Sequence, residues 1–126
     1  MSKKTAFFLE NNLFNRGFCD FVWYYHPKSQ CFELMGCDEA TDDYIEVPYY
    51  ESFRKSIWRQ YYQSLNDEEY ALATDFDEKE GYFDYMRTTG LIGYYEQARE
   101  LVEEAVIHQW QIENGFAIDL NCVKIR

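Results

Sequence analysis

Between Leu91 and Ile112 the apolar residues return at a spacing that only a helix satisfies. Leu91, Tyr94, Tyr95, Ala98, Leu101, Val102, Ala105, Val106 and Ile112 fit about 3.6 residues per turn over roughly six turns. Asn114 and Gly115 close the segment with residue types that tolerate a left-handed C-cap. A helix is therefore predicted over 91–113, and a stripe of that length needs other elements to cover it. Gly90 stands just before it, where the C-cap glycine of an earlier helix over 78–89 is expected, with Tyr82, Phe83 and Met86 on one side. The stretch GYFDYMRTTGLIGYYEQAR, 81–99, thus reads as a corner where two helices share one core.

Upstream of Pro48 the period is different. CDFVWYYH at 19–26 and CFELMGC at 31–37 flank P-K-S-Q, which predicts a hairpin over 19–37 with a four-residue turn. Pairing His26 with Cys31 sets Phe21, Trp23, Tyr25, Phe32 and Leu34 on one face, the predicted core face. Asp20, Val22, Tyr24, His26, Glu33 and Met35 fall on the other. YIEV at 44–47 predicts a third strand, which its acidic approach and Pro48 assign to a sheet edge. After Pro48, Phe53, Ile57, Tyr61 and Leu65 recur every fourth residue, predicting a helix over 49–65. Asn66 then serves as N-cap for a short helix over 67–75 with acids in its first turn. Phe116, Ile118 and Leu120 alternate with polar or small residues, predicting a closing strand at 116–120 that joins the N-terminal sheet. The fold class is α+β: a small antiparallel sheet packed on about four C-terminal helices, in one domain spanning 1–126.

The order of these segments resembles Uncharacterised Protein Family 0158 of bacteria. The carriers are YIEVP at 44–48, FRKSIWRQYYQSLNDEEYAL at 53–72, GYFDYMR at 81–87, GLIGYYEQAREL at 90–101 and AVIHQWQIENGF at 105–116. Together they cover about two thirds of the chain, each an ordinary amphipathic helix or strand whose order is the specific part. The resemblance implies a β-hairpin, an extended Y-I-x-x-P step and a set of helices, and carries no activity, cofactor or catalytic residue with it. Two departures stand out. Where the family has a Gly-Arg-Gly step and a basic helix, this chain has K-E-G and YFDYMR, with Asp84 at a commonly basic position. The family's N-terminal helix has only Thr5–Leu13 to form from.

Charge excludes more than it proposes. Acids outnumber bases 23 to 12, and the net charge is -11. DEATDDYIE at 38–46 carries five acids and no base; DEEYALATDFDEKE at 67–80 carries seven against Lys79. Both stretches repel phosphate, and the helix over 91–113 sets five glutamates against Arg99, which counts against a recognition helix in DNA. A nucleic-acid role is left to Arg54, Lys55 and Arg59 on the helix over 49–65. No apolar run reaches the length of a membrane span, and no secretory h-region follows the basic start, so a cytosolic protein is expected. Cys19, Cys31, Cys37 and Cys122 read as reduced thiols there.

No constellation of catalytic groups emerges. His26 with Cys31 or Cys37 lacks a feature to lower the thiol pKa. Glu104 and His108, four apart on one helix, want further metal ligands, and D-F-D-E-K-E-G at 75–81 puts Lys79 and Glu80 where a calcium loop needs a ligand and glycine. Gly-rich phosphate loops and nucleophile elbows are absent, so no metal or cofactor is expected and an enzyme is disfavoured. A non-catalytic acidic adaptor or regulator, binding a protein with a basic surface, is the expectation that remains. A ligand pocket between the aromatic helices and the sheet is its alternative. Arg87, Thr88 and Thr89, with Arg99 two turns on, offer a seat for a carboxylate at a helix start. The competing arrangement has Thr88 or Thr89 as cap, Arg87 beside an acid, and Arg99 paired with Glu103 or stacked on Tyr95.

Overall fold

The computed structural model describes residues 1–14, 21–36, 38–75 and 81–126. Its elements run α1 (Lys3–Glu10), β1 (Phe21–His26), β2 (Cys31–Gly36), β3 (Ile45–Glu46), α2 (Tyr50–Ser64), α3 (Asp67–Thr74), α4 (Tyr82–Thr89), α5 (Ile92–Asn114) and β4 (Lys124–Ile125). The fold is α+β, a small sheet packed on helices, and each predicted helix is found within a few residues of its expected span. The expectations for 19–20, 37 and 78–80 fall outside the described residues, as do Cys19, Cys37, Asp20 and most of D-F-D-E-K-E-G. Among the described residues no helix is long and apolar enough to cross a membrane. The chain forms two compact units, Met1–Phe53 with Glu103–Arg126, and Arg54–Val102.

In the first unit the sheet order is β3-β1-β2-β4. The hairpin has the predicted register, His26 opposite Cys31 through to Phe21 opposite Gly36, and β3 pairs antiparallel with β1 at the sheet edge. Pro27, with its fixed φ, opens the turn, and Gln30 closes it with φ 54. The His26 ring holds the turn, its Nδ1 accepting the Ser29 N–H at 3.1 Å.

Three expectations are corrected here. The first is the one-sided core face. Tyr25 and Phe32 are buried as expected, but Phe21 and Leu34 on the same face are 49% and 45% exposed, whereas Tyr24 and Met35 on the other face are buried. The cause lies in what covers the sheet. Ring contacts from α1 and α5 fall on Tyr25 and Phe32, through Phe7 at 6.1 Å, Phe8 at 5.6 Å and Trp110 at 6.0 Å. The opposite face has its own neighbour, since Tyr44 lies 4.9 Å from the His26 ring and donates to Glu33.

The second is the closing strand, which is β4 at Lys124–Ile125, parallel to β2, and not 116–120. The backbone of the predicted stretch is committed elsewhere. Phe116 N–H donates to the Gln111 carbonyl, Ile118 N–H to Gln111 Oε1 at 2.8 Å, and the Asp119 carbonyl accepts from Cys122 and Val123. Phe116 stacks on Tyr25 at 4.9 Å, so the alternating apolar residues serve the core without joining a ladder. The third is the N-terminal helix, which begins at Lys3 and not Thr5. Ser2 Oγ accepts the Thr5 N–H as its N-cap, and Asn12 ends it with φ 52, a left-handed position Asn tolerates.

Trp110 is where these pieces meet. Its ring lies 6.1 Å from Phe8, 6.0 Å from Tyr25 and 4.9 Å from Phe116, and its indole N–H donates to the Glu46 carbonyl at 2.9 Å. Replacing it with alanine should cost about 3–5 kcal/mol, the range for a buried aromatic truncated in a packed core. Urea unfolding of Trp110→Ala beside the parent protein measures this. A loss below about 1 kcal/mol would show that the surrounding rings close over the gap.

Candidate functional site

In the second unit, α3 is the element whose place is hardest to explain by burial. Its buried residue is Ala73, while Asp67, Glu68, Tyr70 and Leu72 are exposed. Its ends hold it instead. Asn66 Oδ1 accepts the Glu69 N–H at 2.8 Å and Glu69 Oε1 accepts the Asn66 N–H at 2.9 Å, a reciprocal capping box. The Asn66 N–H, followed by a hydrogen bond from Tyr94, draws the Glu69 carboxyl below its ordinary pKa. At the other end phenols of α4 donate to the last carbonyls: Tyr85 to Leu72 at 2.7 Å, which also accepts the Asp75 N–H, and Tyr82 to Ala73 at 3.2 Å. The result is a short helix that presents two carboxylates, Asp67 and Glu68, to solvent from a fixed mount.

The phenols come from an aromatic cluster centred on Trp58, whose ring lies 4.9 Å from Tyr95, 5.8 Å from Tyr61 and Tyr82, and 6.0 Å from Phe83. Tyr61 and Tyr82 share a hydroxyl hydrogen bond at 3.2 Å. Burial, then the hydrogen bond with Tyr82, pushes Tyr62 up to about 12, and burial raises Tyr82 and Tyr61 also. These hydroxyls stay protonated near neutral pH, which suits donors to carbonyls and not bases.

The predicted seat residues sit at the end of α4. Arg87 pairs with Asp84 at 2.9 Å, both side chains largely exposed. The Thr88 hydroxyl donates to the Asp84 carbonyl at 2.9 Å and Thr89 to Tyr85 at 2.8 Å, so their hydrogens go back into α4 and not toward the start of α5. Gly90 closes α4 with φ 80, as expected of a C-cap glycine. Arg99 is half-buried on α5, and Arg54, Lys55 and Arg59 are all exposed on α2.

In the first unit, Cys31 is buried and its thiol faces the Phe32 carbonyl at 3.5 Å, while the His26 ring is engaged by Ser29. Cys122 is exposed, but hydrogen bonding to Asp119 at 3.3 Å raises its thiol pKa and lowers its thiolate fraction. Among the described residues no three His, Cys, Asp or Glu side chains gather as a metal site. Glu104 and His108 do share a location: both line a concavity of about 240 Å³ beside the start of α1. Sequence spacing could not reveal the residues that complete it, because Ser2 and Lys4 lie more than a hundred positions from Glu104 and Gln111. The capping phenols were hidden in the same way: Tyr82 reads from the sequence as one side of a helix with Phe83 and Met86, and nothing local singles out Tyr85. Comparison with protein-family models, curated proteins and solved structures finds no match to this chain.

The raised phenol values give a pH test. A folded-state value above the ordinary 10.0 favours the neutral phenol. That stabilisation is complete below pH 10 and is lost as pH rises through about 12. Tyrosinate absorbance followed with far-ultraviolet circular dichroism should show a late-titrating fraction of the 12 tyrosines that appears as helix signal is lost. Complete ionisation near pH 10 with the helices intact would contradict the cluster.

Proposed function

We propose that the protein is a non-catalytic acidic adaptor or regulator that binds another protein, and that the partner meets it with basic side chains. The observation that carries this reading is the placement of the surplus acid. Asp38, Glu39, Asp42 and Asp43 in the segment before β3, and Asp67 and Glu68 on α3, are all exposed. Several of the few cations are turned to acids of this chain, Lys28 to Asp43, Arg87 to Asp84 and Arg126 to Glu33. The exposed acids set up a field that attracts cationic surfaces and speeds their encounter. A cytosolic setting belongs to the same reading, supported by the free thiols of Cys31 and Cys122.

Affinity capture from lysate at low and moderate salt, with mass spectrometry, tests it. The expected result is a specific protein that is held at low salt, weakened at moderate salt, and lost from Asp67→Asn/Glu68→Gln or from a variant neutralised at 38–43. Failure to recover any specific protein at either salt refutes the reading. Salt-sensitive binding to duplex or single-stranded DNA, abolished by neutralising Arg54, Lys55 and Arg59, would move the function to α2.

A further inference from the structure

We propose that the concavity beside the start of α1 binds a small zwitterion of the free α-amino-acid class. The site lies wholly within the first unit and takes one wall from α1 and the other from the C-terminal half of α5.

Its two charged groups are held by bonds that leave part of each available. Lys4 Nζ donates to Gln111 Oε1 at 3.0 Å, and an ammonium has two further hydrogens to give. Gln111 is only 6% exposed, and its amide is committed on both sides. Its oxygen also accepts the Ile118 N–H at 2.8 Å, and its nitrogen donates to the Ile107 carbonyl at 3.2 Å. That fixes the oxygen to which Lys4 is tied. Across the concavity, Glu104 Oε1 accepts the Ser2 N–H at 2.6 Å, which leaves Oε2 as a carboxylate acceptor. The positive end of α1 is thereby occupied by this chain's own carboxylate and is not the ligand seat. Ile107, 2% exposed, supplies an apolar surface, and the exposed His108 imidazole stands at the rim.

The chemistry of the ligand follows from this balance. A simple anion would satisfy Lys4 but face Glu104, and a simple cation would do the reverse. A molecule carrying a carboxylate and a primary ammonium together matches both walls. The Glu104 oxygen calls for an N–H donor, which a quaternary ammonium lacks. The volume of about 240 Å³ lies under the roughly 300–1,000 Å³ that accommodates drug-sized ligands, and so favours a molecule of amino-acid size.

The test uses the full chain and the imidazole proton resonances of His108, read by NMR during titration. Glycine, alanine and serine are the probes; acetate, methylammonium and glycine betaine are the single-charge and donor-free controls. At least one of the three amino acids should give a saturable shift in the millimolar range, and the three controls should give none. Lys4→Met and Glu104→Gln should each weaken that binding by about tenfold or more, as loss of a charge-assisted hydrogen bond implies, while Glu113→Gln leaves it unchanged. Circular dichroism establishes that each variant is folded, and the controls on the parent protein need no variant at all. The proposal is overturned by the absence of a saturable shift with all three amino acids, by equal affinity for acetate or methylammonium, or by undiminished affinity in both cleft variants.

Discussion

The first unit depends on two adjacent residues near the end of α5. Trp110 and Gln111 point an indole and an amide at partners that are remote in sequence, and between them they tie α1, the sheet and the C-terminal segment to one helix. The indole lies against Phe8, Tyr25 and Phe116 and donates to the Glu46 carbonyl in β3. The amide accepts from Lys4 and from the Ile118 backbone. A buried ring contributes by area and by edge-to-face geometry, and a buried amide by leaving no donor or acceptor unmet. Together they explain why the segment after Gly115 turns inward and does not extend as a strand.

The second unit solves a different problem. An eight-residue helix with one buried side chain would be marginal by burial alone, since short helices gain most of their stability from tertiary packing. Here the four-residue periodicity of α2 and the aromatic residues of α4 build a cluster whose rings fill the interior while several hydroxyls remain available as donors. Tyr82 spends its hydroxyl on the Ala73 carbonyl and Tyr85 on that of Leu72. Phenylalanine at either position would keep the ring and leave α3 without one of these two contacts. The abundance of tyrosine in this chain therefore has a mechanical use that a count of apolar residues conceals.

This division of labour marks what could be read in advance. The hairpin register was legible because P-K-S-Q fixes it locally, and α3 because Asn66 as N-cap and the acids of the first turn mark a helix start. Gly90 and Gly115, with φ 80 and 70, were legible for the same reason, as each satisfies a backbone need of its own turn. What failed was long-range. The exposed Phe21 and Leu34, the buried Tyr24 and Met35, and the true position of β4 all depend on which neighbour covers which end of the sheet. Among the candidate site residues, Glu104 and His108 were singled out by spacing, but Ser2, Lys4 and Gln111 had no local signal that would join them.

The carboxylates sort by the same criterion of where donors wait. Glu69 and Asp119 each accept a nearby backbone N–H, from Asn66 and Asn121, and both are drawn below their ordinary pKa by it. Glu104 accepts the Ser2 N–H across more than a hundred residues of chain. These acids are structural, because a backbone donor left without them would be an orphan at a helix end or turn. The acids of 38–43, and Asp67 and Glu68, differ in kind: they are exposed, and the ion pair of Lys28 with Asp43 at 3.9 Å is itself exposed and screened. Concentrating like charge on a small fold works against compactness through self-repulsion. In this chain that cost falls on surfaces that packing does not use, which is where a cationic partner could offset it.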